Sequence, residues 1–169
     1  MHIAIAGNIG SGKTTLTGLL AQHYGWIPKF ETVAENPYLD PFYKDMPRWA
    51  FNLEVFFLKE RFKDVLDIAR AESNVVQDRS IFEGVYIFSA NNRDMGNLDT
   101  RDFETYMELF ELMTSLVDAP DLLIYLRSTV PHLVANIRKR GREYEQSMSI
   151  EYLENLNRRY DEFVFDKYP

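Results

Sequence analysis

Apolar and polar positions along the chain divide into short apolar runs and longer stretches with helical spacing. The apolar runs predict four strands, over about 2–6, 29–33, 75–77 and 122–126. Apolar residues at helical spacing predict six helices, over about 13–23, 47–71, 81–91, 100–118, 130–141 and 150–165. Turn signals make the stretches 34–46 and 91–97 predicted loops.

The order of these elements predicts the fold class. Because strands alternate with helices, we expect a parallel sheet with helices on both faces, a three-layer α/β/α arrangement. The continuous apolar run Leu122–Leu126 is typical of a strand buried on both faces. Ligands bind such sheets at the carboxyl ends of the strands, and the polar motifs of this chain fall there.

The first strand runs directly into a segment that matches the phosphate-binding pattern G-x-x-x-x-G-K-[ST]. Its glycines let the backbone N–H groups point at phosphate oxygens. Lys13 is expected to reach the β- and γ-phosphates and Thr14 to ligate Mg²⁺. A glycine-rich turn could match by chance, but the strand before and the helix after are the required context. We therefore predict a triphosphate-binding loop that comprises Gly7, Asn8, Ile9, Gly10, Ser11, Gly12, Lys13, Thr14 and Thr15.

The amino-acid composition limits which binding partners and which cellular compartment are expected for this protein. The chain has 169 residues, enough for one domain with a core, and 46% of them are hydrophobic. A formal net charge of −7 argues against a nucleic-acid or anionic-membrane partner. The chain has no cysteine and no apolar run of membrane-spanning length, and because the first strand begins at residue 2 we expect no signal peptide. We expect a cytoplasmic protein in which residues 1–169 form a single domain.

Acidic side chains follow the second and third predicted strands. Glu31 lies near a strand end, where a carboxylate can take a proton from a hydroxyl that attacks a γ-phosphate. The alternative for Glu31 is a solvated loop glutamate. Asp78 and Arg79 end the next strand, where an acid can support Mg²⁺ and an arginine can pair with Glu31 or a phosphate. The alternative for that pair is a structural salt bridge.

Two further groups of charged residues are candidates for binding. The densest basic cluster, predicted to form a lid over the triphosphate within about 136–146, contains Arg138, Arg140 and Arg142. Its alternative role is to place cations at a helix C-terminus. Glu54 and Arg61 lie two turns apart on an apolar helix face, so they either read a ligand or form an ion pair.

Taken in order, these motifs resemble the deoxyribonucleoside kinase family, and within it the bacterial deoxyadenosine/deoxyguanosine kinase branch. The resemblance covers nearly the whole chain through G-N-I-G-S-G-K-T-T, N-P-Y-L, R-W-A-F-N-L, D-R-S, L-L-I-Y-L-R, R-K-R-G-R and E-Y-L-x-x-L-x-x-x-Y. It implies a P-loop kinase fold, ATP as phosphate donor, Mg²⁺, and transfer to the 5′-hydroxyl of a deoxynucleoside. It also implies homodimers built through helices, with 47–71 a candidate contact, and a deoxynucleoside triphosphate as feedback inhibitor.

The resemblance also implies residue roles. Glu31 matches the catalytic glutamate, Arg79 the arginine that holds the hydroxyl and the phosphoryl group, and Asp78 an assistant to Mg²⁺. Lys13 completes the predicted catalytic set with Glu31 and Arg79. The positions that match substrate-binding residues, or lie beside one, are Tyr43 and Glu145 for the sugar 3′-hydroxyl, Glu54 and Arg61 for the base, Phe88 for stacking on the base, and Glu83.

This chain departs from the family pattern in three ways. Glu54 stands where the family has Gln, and an ionised Glu, which only accepts hydrogen bonds, suits the adjacent N–H donors of guanine. Gly84 stands where relatives often have the acid that orients the base-reading arginine, so base choice is expected to loosen. The chain stops at Pro169 where the family continues into a fifth strand and the donor-adenine loop, so a sheet without its last strand is expected.

The sequence thus favours an ATP-dependent kinase of deoxynucleosides, with purines preferred and guanine favoured by Glu54. A nucleoside monophosphate kinase is the alternative enzyme, although it needs acceptor-binding arginines rather than a carboxylate base. A non-catalytic nucleotide-binding or regulatory protein is the alternative from another class.

Overall fold

The fold is a parallel β-sheet flanked by helices. The computed structural model describes residues 1–31, 33 and 35–168, without the side chain of Lys167. The strands are β1 (His2–Gly7), β2 (Ile27–Lys29), β3 (Val75–Asp78) and β4 (Leu122–Leu126). Within the described residues they form one sheet in the order β2-β3-β1-β4, and every pair is parallel. The predicted α/β class is confirmed.

Eight α-helical segments surround the sheet in the part of the chain that the structure describes. They are α1 (Lys13–Tyr24), α2 (Leu39–Lys44), α3 (Met46–Ala69), α4 (Ile81–Glu83), α5 (Ala90–Asp94), α6 (Thr100–Thr114), α7 (Val130–Arg140) and α8 (Ile150–Glu162). A π-helical turn over Gly84–Ser89 joins α4 to α5 into one continuous helical segment. A 3₁₀ turn covers Glu143–Glu145, and a π-helical turn over Phe163–Lys167 follows α8.

The central strand β1 carries the phosphate-binding loop at its carboxyl end. All six of its residues are buried, and it pairs with β3 on one side and β4 on the other. Burial on both faces explains why its sequence is almost continuously apolar. Because β1 and β3 are in register up to Ile5 and Asp78, the loop after β1 and the Asp78-Arg79 pair lie side by side.

Two strand predictions are wrong in detail. The strand β2 lies earlier in the chain than the predicted strand 29–33 and shares only Lys29 with it. Ile27–Lys29 pairs with Val75–Gln77, and the pairing ends there. Glu31 therefore follows the strand, and Thr32 lies outside the described residues. The strand β4 is not buried on both faces, since it lies at the edge of the described sheet and Leu122 is 48% exposed.

Two predicted loops contain helix. The helix α2 lies inside the predicted loop 34–46, of which Ala34 is outside the described residues. The predicted loop 91–97 begins with helix, because the π-helical turn carries the segment through to Asp94. The long helix α3 begins one residue before the predicted start, with Pro47 in its first turn and Asp45 accepting a hydrogen bond from Arg48 N at 3.3 Å.

Candidate active site

A cavity of about 140 Å³ opens at the carboxyl ends of the strands. It extends from the phosphate-binding loop to the inner face of α3 and is closed on one side by the segment after α7. Most of the predicted site residues line it: Ile9, Gly10, Lys13, Thr14, Glu31, Tyr43, Glu54, Arg61, Asp78, Arg79, Phe88, Arg140, Arg142 and Glu145. The topology therefore brings together residues that are far apart in the chain.

The glycines of the phosphate-binding loop are required by its geometry. Gly10 and Gly12 have φ of 84° and 97°, which side chains other than glycine rarely adopt. A Cβ at Gly10 would lie 2.8 Å from the carbonyl oxygen of Leu133 in α7. The loop consequently packs closely against α7, where Asn136 Nδ2 also donates to Gly10 O at 2.8 Å.

Asn8 ties the same loop to α8. Its Nδ2 donates to Leu153 O at 3.0 Å and to Asn157 Oδ1 at 2.7 Å, while its Oδ1 accepts from Ile9 N at 2.7 Å. With Asn136, these bonds preorganise the loop from two helices. The sequence pattern requires no particular residue at the second position, so this bracing was not predictable from it.

Lys13 lies buried at the start of α1, with its Nζ donating to Asn8 O at 3.1 Å. Burial and the neighbouring charge of Arg79 lower the pKa of Lys13 to about 8. The negative charge of a bound phosphate would offset the positive charges of Lys13 and Arg79, so anion binding is favoured here.

Glu31 lies between two arginines. Arg61 Nη2 donates to Glu31 Oε1, and Arg79 Nε lies 3.2 Å from the same oxygen. Burial alone would raise the pKa of Glu31, but the charges of Arg79, Arg61 and Lys13 lower it to about 2. The carboxylate is therefore ionised throughout the neutral pH range and faces the cavity beside the phosphate-binding loop.

A buried chain of hydrogen bonds holds Arg79 in place. Arg79 Nη1 donates to Tyr160 OH at 2.7 Å, and Tyr160 OH donates to Glu83 Oε1 at 2.8 Å. The other Glu83 oxygen accepts from Ser80 N at 2.7 Å and completes a capping box at the start of α4. Arg79 has a φ of 71°, and its guanidinium lies over the Phe88 ring at 4.4 Å.

This chain of bonds changes the interpretation of Glu83. Both of its oxygens are used by the protein, and Glu83 is fully buried and does not line the cavity. Glu83 is placed to position Arg79, whereas the resemblance implies a substrate-binding position for it. Tyr160 ends the E-Y-L-x-x-L-x-x-x-Y motif of α8, and nothing local in the sequence indicates that it reaches Arg79.

Thr14 and Asp78 meet at the edge of the loop. Thr14 Oγ1 donates to Asp78 Oδ2 at 2.5 Å, and Asp78 Oδ1 is buried without a hydrogen-bond partner among the described residues. One hydroxyl and one carboxylate beside a triphosphate site match the way Mg²⁺ binds between protein and phosphates. No group of three or more His, Cys, Asp or Glu side chains could hold a metal by itself in the part of the chain described.

The far end of the cavity is formed by α3 and the π-helical turn. Glu54 is 3% exposed and accepts a hydrogen bond from Asn92 Nδ2 at 2.9 Å. A Cβ at Gly84 would lie 3.2 Å from both Arg61 Nη1 and Tyr106 OH. Arg61 Nη2 donates to Glu31, while Arg61 Nε and the Tyr106 hydroxyl have no hydrogen-bond partner among the described residues.

The segment after α7 closes the cavity through a different set of contacts. Arg140 donates to Glu145 from Nη2 at 2.6 Å and from Nε at 3.1 Å, and Arg142 Nη1 lies 3.4 Å from the same carboxylate. Tyr144 stacks on Tyr43 with ring centroids 5.7 Å apart. The predicted 3′-hydroxyl pair, Tyr43 and Glu145, is thus held by lid residues.

Six predicted phosphate-binding residues do not line this cavity: Gly7, Asn8, Ser11, Gly12, Thr15 and Arg138. Arg138 is exposed at the end of α7, Thr15 is exposed in the first turn of α1, and neither lines the cavity. Asn8 is also absent from the lining because its side chain faces α8. Asn8 and Thr15 still belong to the loop through their backbone, whereas Arg138 is better explained as a cation at the C-terminus of a helix.

The comparisons with known proteins agree with this geometry. A protein-family model described as deoxynucleoside kinase matches residues 3–167. The chain belongs to the deoxynucleoside kinase family. It is 42% identical to the deoxyadenosine/deoxycytidine kinase of Bacillus subtilis (strain 168) over 164 residues, which cover 96% of this chain and 76% of that kinase. It is 37% identical to the deoxyguanosine kinase of the same strain, over 91% of this chain and 73% of that kinase.

A solved structure gives the same answer for the fold. The structure of the deoxyadenosine kinase from M. mycoides with bound dATP superposes with a TM-score of 0.90 at 32% identity, covering 99% of this kinase and 86% of that chain. The resemblance inferred from the sequence motifs is confirmed, and so is the P-loop kinase fold. No helix in the described part of the chain is long and apolar enough to cross a membrane.

Proposed function

We propose that this kinase transfers the γ-phosphoryl group of ATP to the 5′-hydroxyl of purine deoxynucleosides. The observation that carries the proposal is the position of Glu31, an ionised carboxylate in the cavity next to the phosphate-binding loop and between Arg61 and Arg79. Relatives named deoxyadenosine and deoxyguanosine kinases support purines as acceptors.

The side chains divide the reaction between them. Glu31 accepts the hydrogen bond of the 5′-hydroxyl and takes its proton as the phosphoryl group arrives. Arg79, held by Tyr160, and Lys13 offset the negative charge that moves between donor and acceptor. Positioning and charge stabilisation of this kind account for most of the catalysis of phosphoryl transfer.

Thr14 and Asp78 are the residues that would hold Mg²⁺. Their oxygens lie together at the loop, and the unpartnered Asp78 oxygen is available to a metal or to one of its waters. When bound, Mg²⁺ would neutralise part of the negative charge of the phosphates. Tyr43 and Glu145 would bind the sugar 3′-hydroxyl. Arg140 and Arg142 would give up their bonds to Glu145 and bind phosphates instead.

Three further features belong to the same proposal. Solved structures of the M. mycoides deoxyadenosine kinase hold dATP and dCTP, which supports deoxynucleoside triphosphates as inhibitors here. A homodimer is supported by three exposed leucines, Leu109 and Leu112 on α6 and Leu116 just after it. Helix α3, the contact implied by the resemblance, stays a second candidate, since several of its aromatic residues are only half-buried. A cytoplasmic location is supported by the lack of cysteine.

Turnover of ATP with Mg²⁺ against a panel of acceptors tests the proposal. The panel is deoxyadenosine, deoxyguanosine, deoxycytidine, thymidine and their 5′-monophosphates. Phosphorylation of the deoxynucleosides, purines first, is expected. Turnover of the monophosphates alone would instead make the protein a nucleoside monophosphate kinase. Binding of ATP without transfer to any acceptor would make it a regulatory nucleotide-binding protein.

A further inference from the structure

Glu54 is a carboxyl group with little around it to stabilise a negative charge. Its one hydrogen bond among the described residues comes from Asn92, to Oε1. The other end of that amide, Asn92 Oδ1, accepts a hydrogen bond from Asn97 Nδ2 at 3.3 Å. Glu54 Oε2 has no partner in the described chain, and Glu54 lines the cavity. Oε2 is therefore available to a ligand.

The charged groups that face Glu54 from the neighbouring elements do not pair with it. Arg61, on the same helix, and Arg79, after β3, both contact Glu31, whose carboxylate adds a negative charge nearby. The other titratable groups that face it are Tyr106 of α6 and Tyr152 of α8. Burial raises the pKa of Glu54 to about 8, against the charges of Arg61 and Arg79 and the hydrogen bond from Asn92.

We propose that Glu54 reads the base as a neutral carboxylic acid, and that loss of its proton removes adenine from the acceptors while guanine remains. The inference rests on the proposed function, since it concerns which deoxynucleosides the same site accepts. It replaces the assumption, made from the sequence, that Glu54 is ionised and therefore selects guanine.

The hydrogen-bonding chemistry explains the two states. A neutral carboxylic acid offers one donor and one acceptor, the same pair that a Gln amide offers. That pair fits adenine, which presents its exocyclic N–H₂ and the N1 acceptor, and it also fits guanine, which presents N1–H and O6. A carboxylate offers acceptors only, so it repels N1 of adenine and still accepts from N1–H and N2–H₂ of guanine.

The test is a competition between deoxyadenosine and deoxyguanosine in one reaction, measured from about pH 6.5 to about pH 9. The ratio of their kcat/KM values is the readout, because ionisations of Glu31, Lys13 and ATP affect both acceptors and cancel. We expect the ratio of deoxyadenosine to deoxyguanosine to be constant at low pH and to fall about tenfold by pH 9.

Two variants sharpen the test. Glu54→Gln carries a permanent donor and acceptor, so its ratio should not change with pH. Glu60→Gln removes a partly exposed carboxylate of α3 that lies outside the cavity, so it should keep the fall. A ratio that stays constant with pH in the parent enzyme overturns the inference. If Glu54→Gln does not fold, the parent enzyme alone decides the question. Failure of the proposed function is distinct, because neither deoxynucleoside would then be phosphorylated at any pH.

Discussion

The guanidinium of Arg61 donates a hydrogen bond to the carboxylate of Glu31, and this contact joins the two ends of the cavity. Arg61 lies on α3, at the end proposed to hold the base, whereas Glu31 lies beside the phosphate-binding loop. With Arg79 on the same oxygen, the contact keeps Glu31 ionised and fixed in place. An acceptor whose base binds Arg61 would weaken the contact between Arg61 and Glu31. Glu31 would then be more basic, because it would lose part of the positive charge beside it.

The first prediction concerns Glu31 itself. Glu31→Gln removes the proton acceptor and the counter-charge of two buried arginines, so kcat should fall by about 10²–10⁴. Affinity for ATP should be retained, because the loop is braced by Asn8 and Asn136 rather than by Glu31. Steady-state turnover and calorimetric ATP binding measure the two effects. Parent-like turnover would show that Glu31 is not the base.

A second prediction concerns the bonds behind Arg79. Tyr160→Phe removes the hydroxyl between Arg79 and Glu83, so Arg79 Nη1 and Glu83 Oε1 each lose a buried hydrogen bond. Stability should fall by about 1–3 kcal/mol, and kcat should fall more than the affinity for either substrate. Tyr125→Phe is the matched control, since Tyr125 stacks on Tyr160 but donates to Asp161 outside the site. Equal effects of both variants on kcat would refute the positioning role.

Such bonds define the limit of what the sequence could predict. The phosphate-binding loop, Glu31 and the Asp78-Arg79 pair were predictable, because parallel strands bring their carboxyl ends to one edge of the sheet. The partners of these residues were not. Whether Arg61 reaches the base or Glu31 depends on side-chain direction across two elements and on the space beside Gly84.

Errors in the elements have similar causes. The apolar run Leu122–Leu126 predicted a central strand, but burial of a strand depends on its neighbours, and β4 has one neighbour in the described sheet. The start of the second strand depended on its register with β3 rather than on its own residues. The π-helical turn over Gly84–Ser89 has no recognised signal in the sequence, although it contains Phe88, which lines the cavity.

A third prediction concerns the contact between the lid arginines and Glu145. Glu145→Gln weakens the bonds from Arg140 and Arg142 and removes the charge proposed to bind the 3′-hydroxyl. The preference for a deoxynucleoside over its 2′,3′-dideoxy analogue should therefore shrink about tenfold, as expected for one charged hydrogen bond. Competition kinetics measure it. Glu143→Gln, an exposed neighbour in the same 3₁₀ turn, should leave the preference intact. An unchanged preference in Glu145→Gln would place the 3′-hydroxyl elsewhere.

A fourth prediction uses the titration of Glu54 in the absence of any substrate. Its pKa is raised from 4.5 to about 8 in the folded state, so the folded state holds the proton more tightly than the unfolded state. The proton on Glu54 therefore stabilises the folded state. This stabilisation is complete below the pKa of Glu54 in the unfolded chain, and it is lost as pH rises to about 8, by at most roughly 1.4 kcal/mol for each pH unit.

Glu54→Gln should therefore gain stability relative to the parent as pH rises from about 5 to 8. Denaturant unfolding of both proteins at several pH values gives the difference, in which the opposite contribution of Glu31 cancels. A difference that stays constant over this range would mean that Glu54 is ionised in the folded protein.

The most direct test of the central claim follows the γ-phosphoryl group of labelled ATP into its acceptor. With Mg²⁺ and deoxyadenosine or deoxyguanosine, the account predicts that the label appears as a 5′-monophosphate, at a rate that Glu31→Gln reduces by about 10²–10⁴. Label that moves only to an added monophosphate, or that appears only as inorganic phosphate, would contradict it.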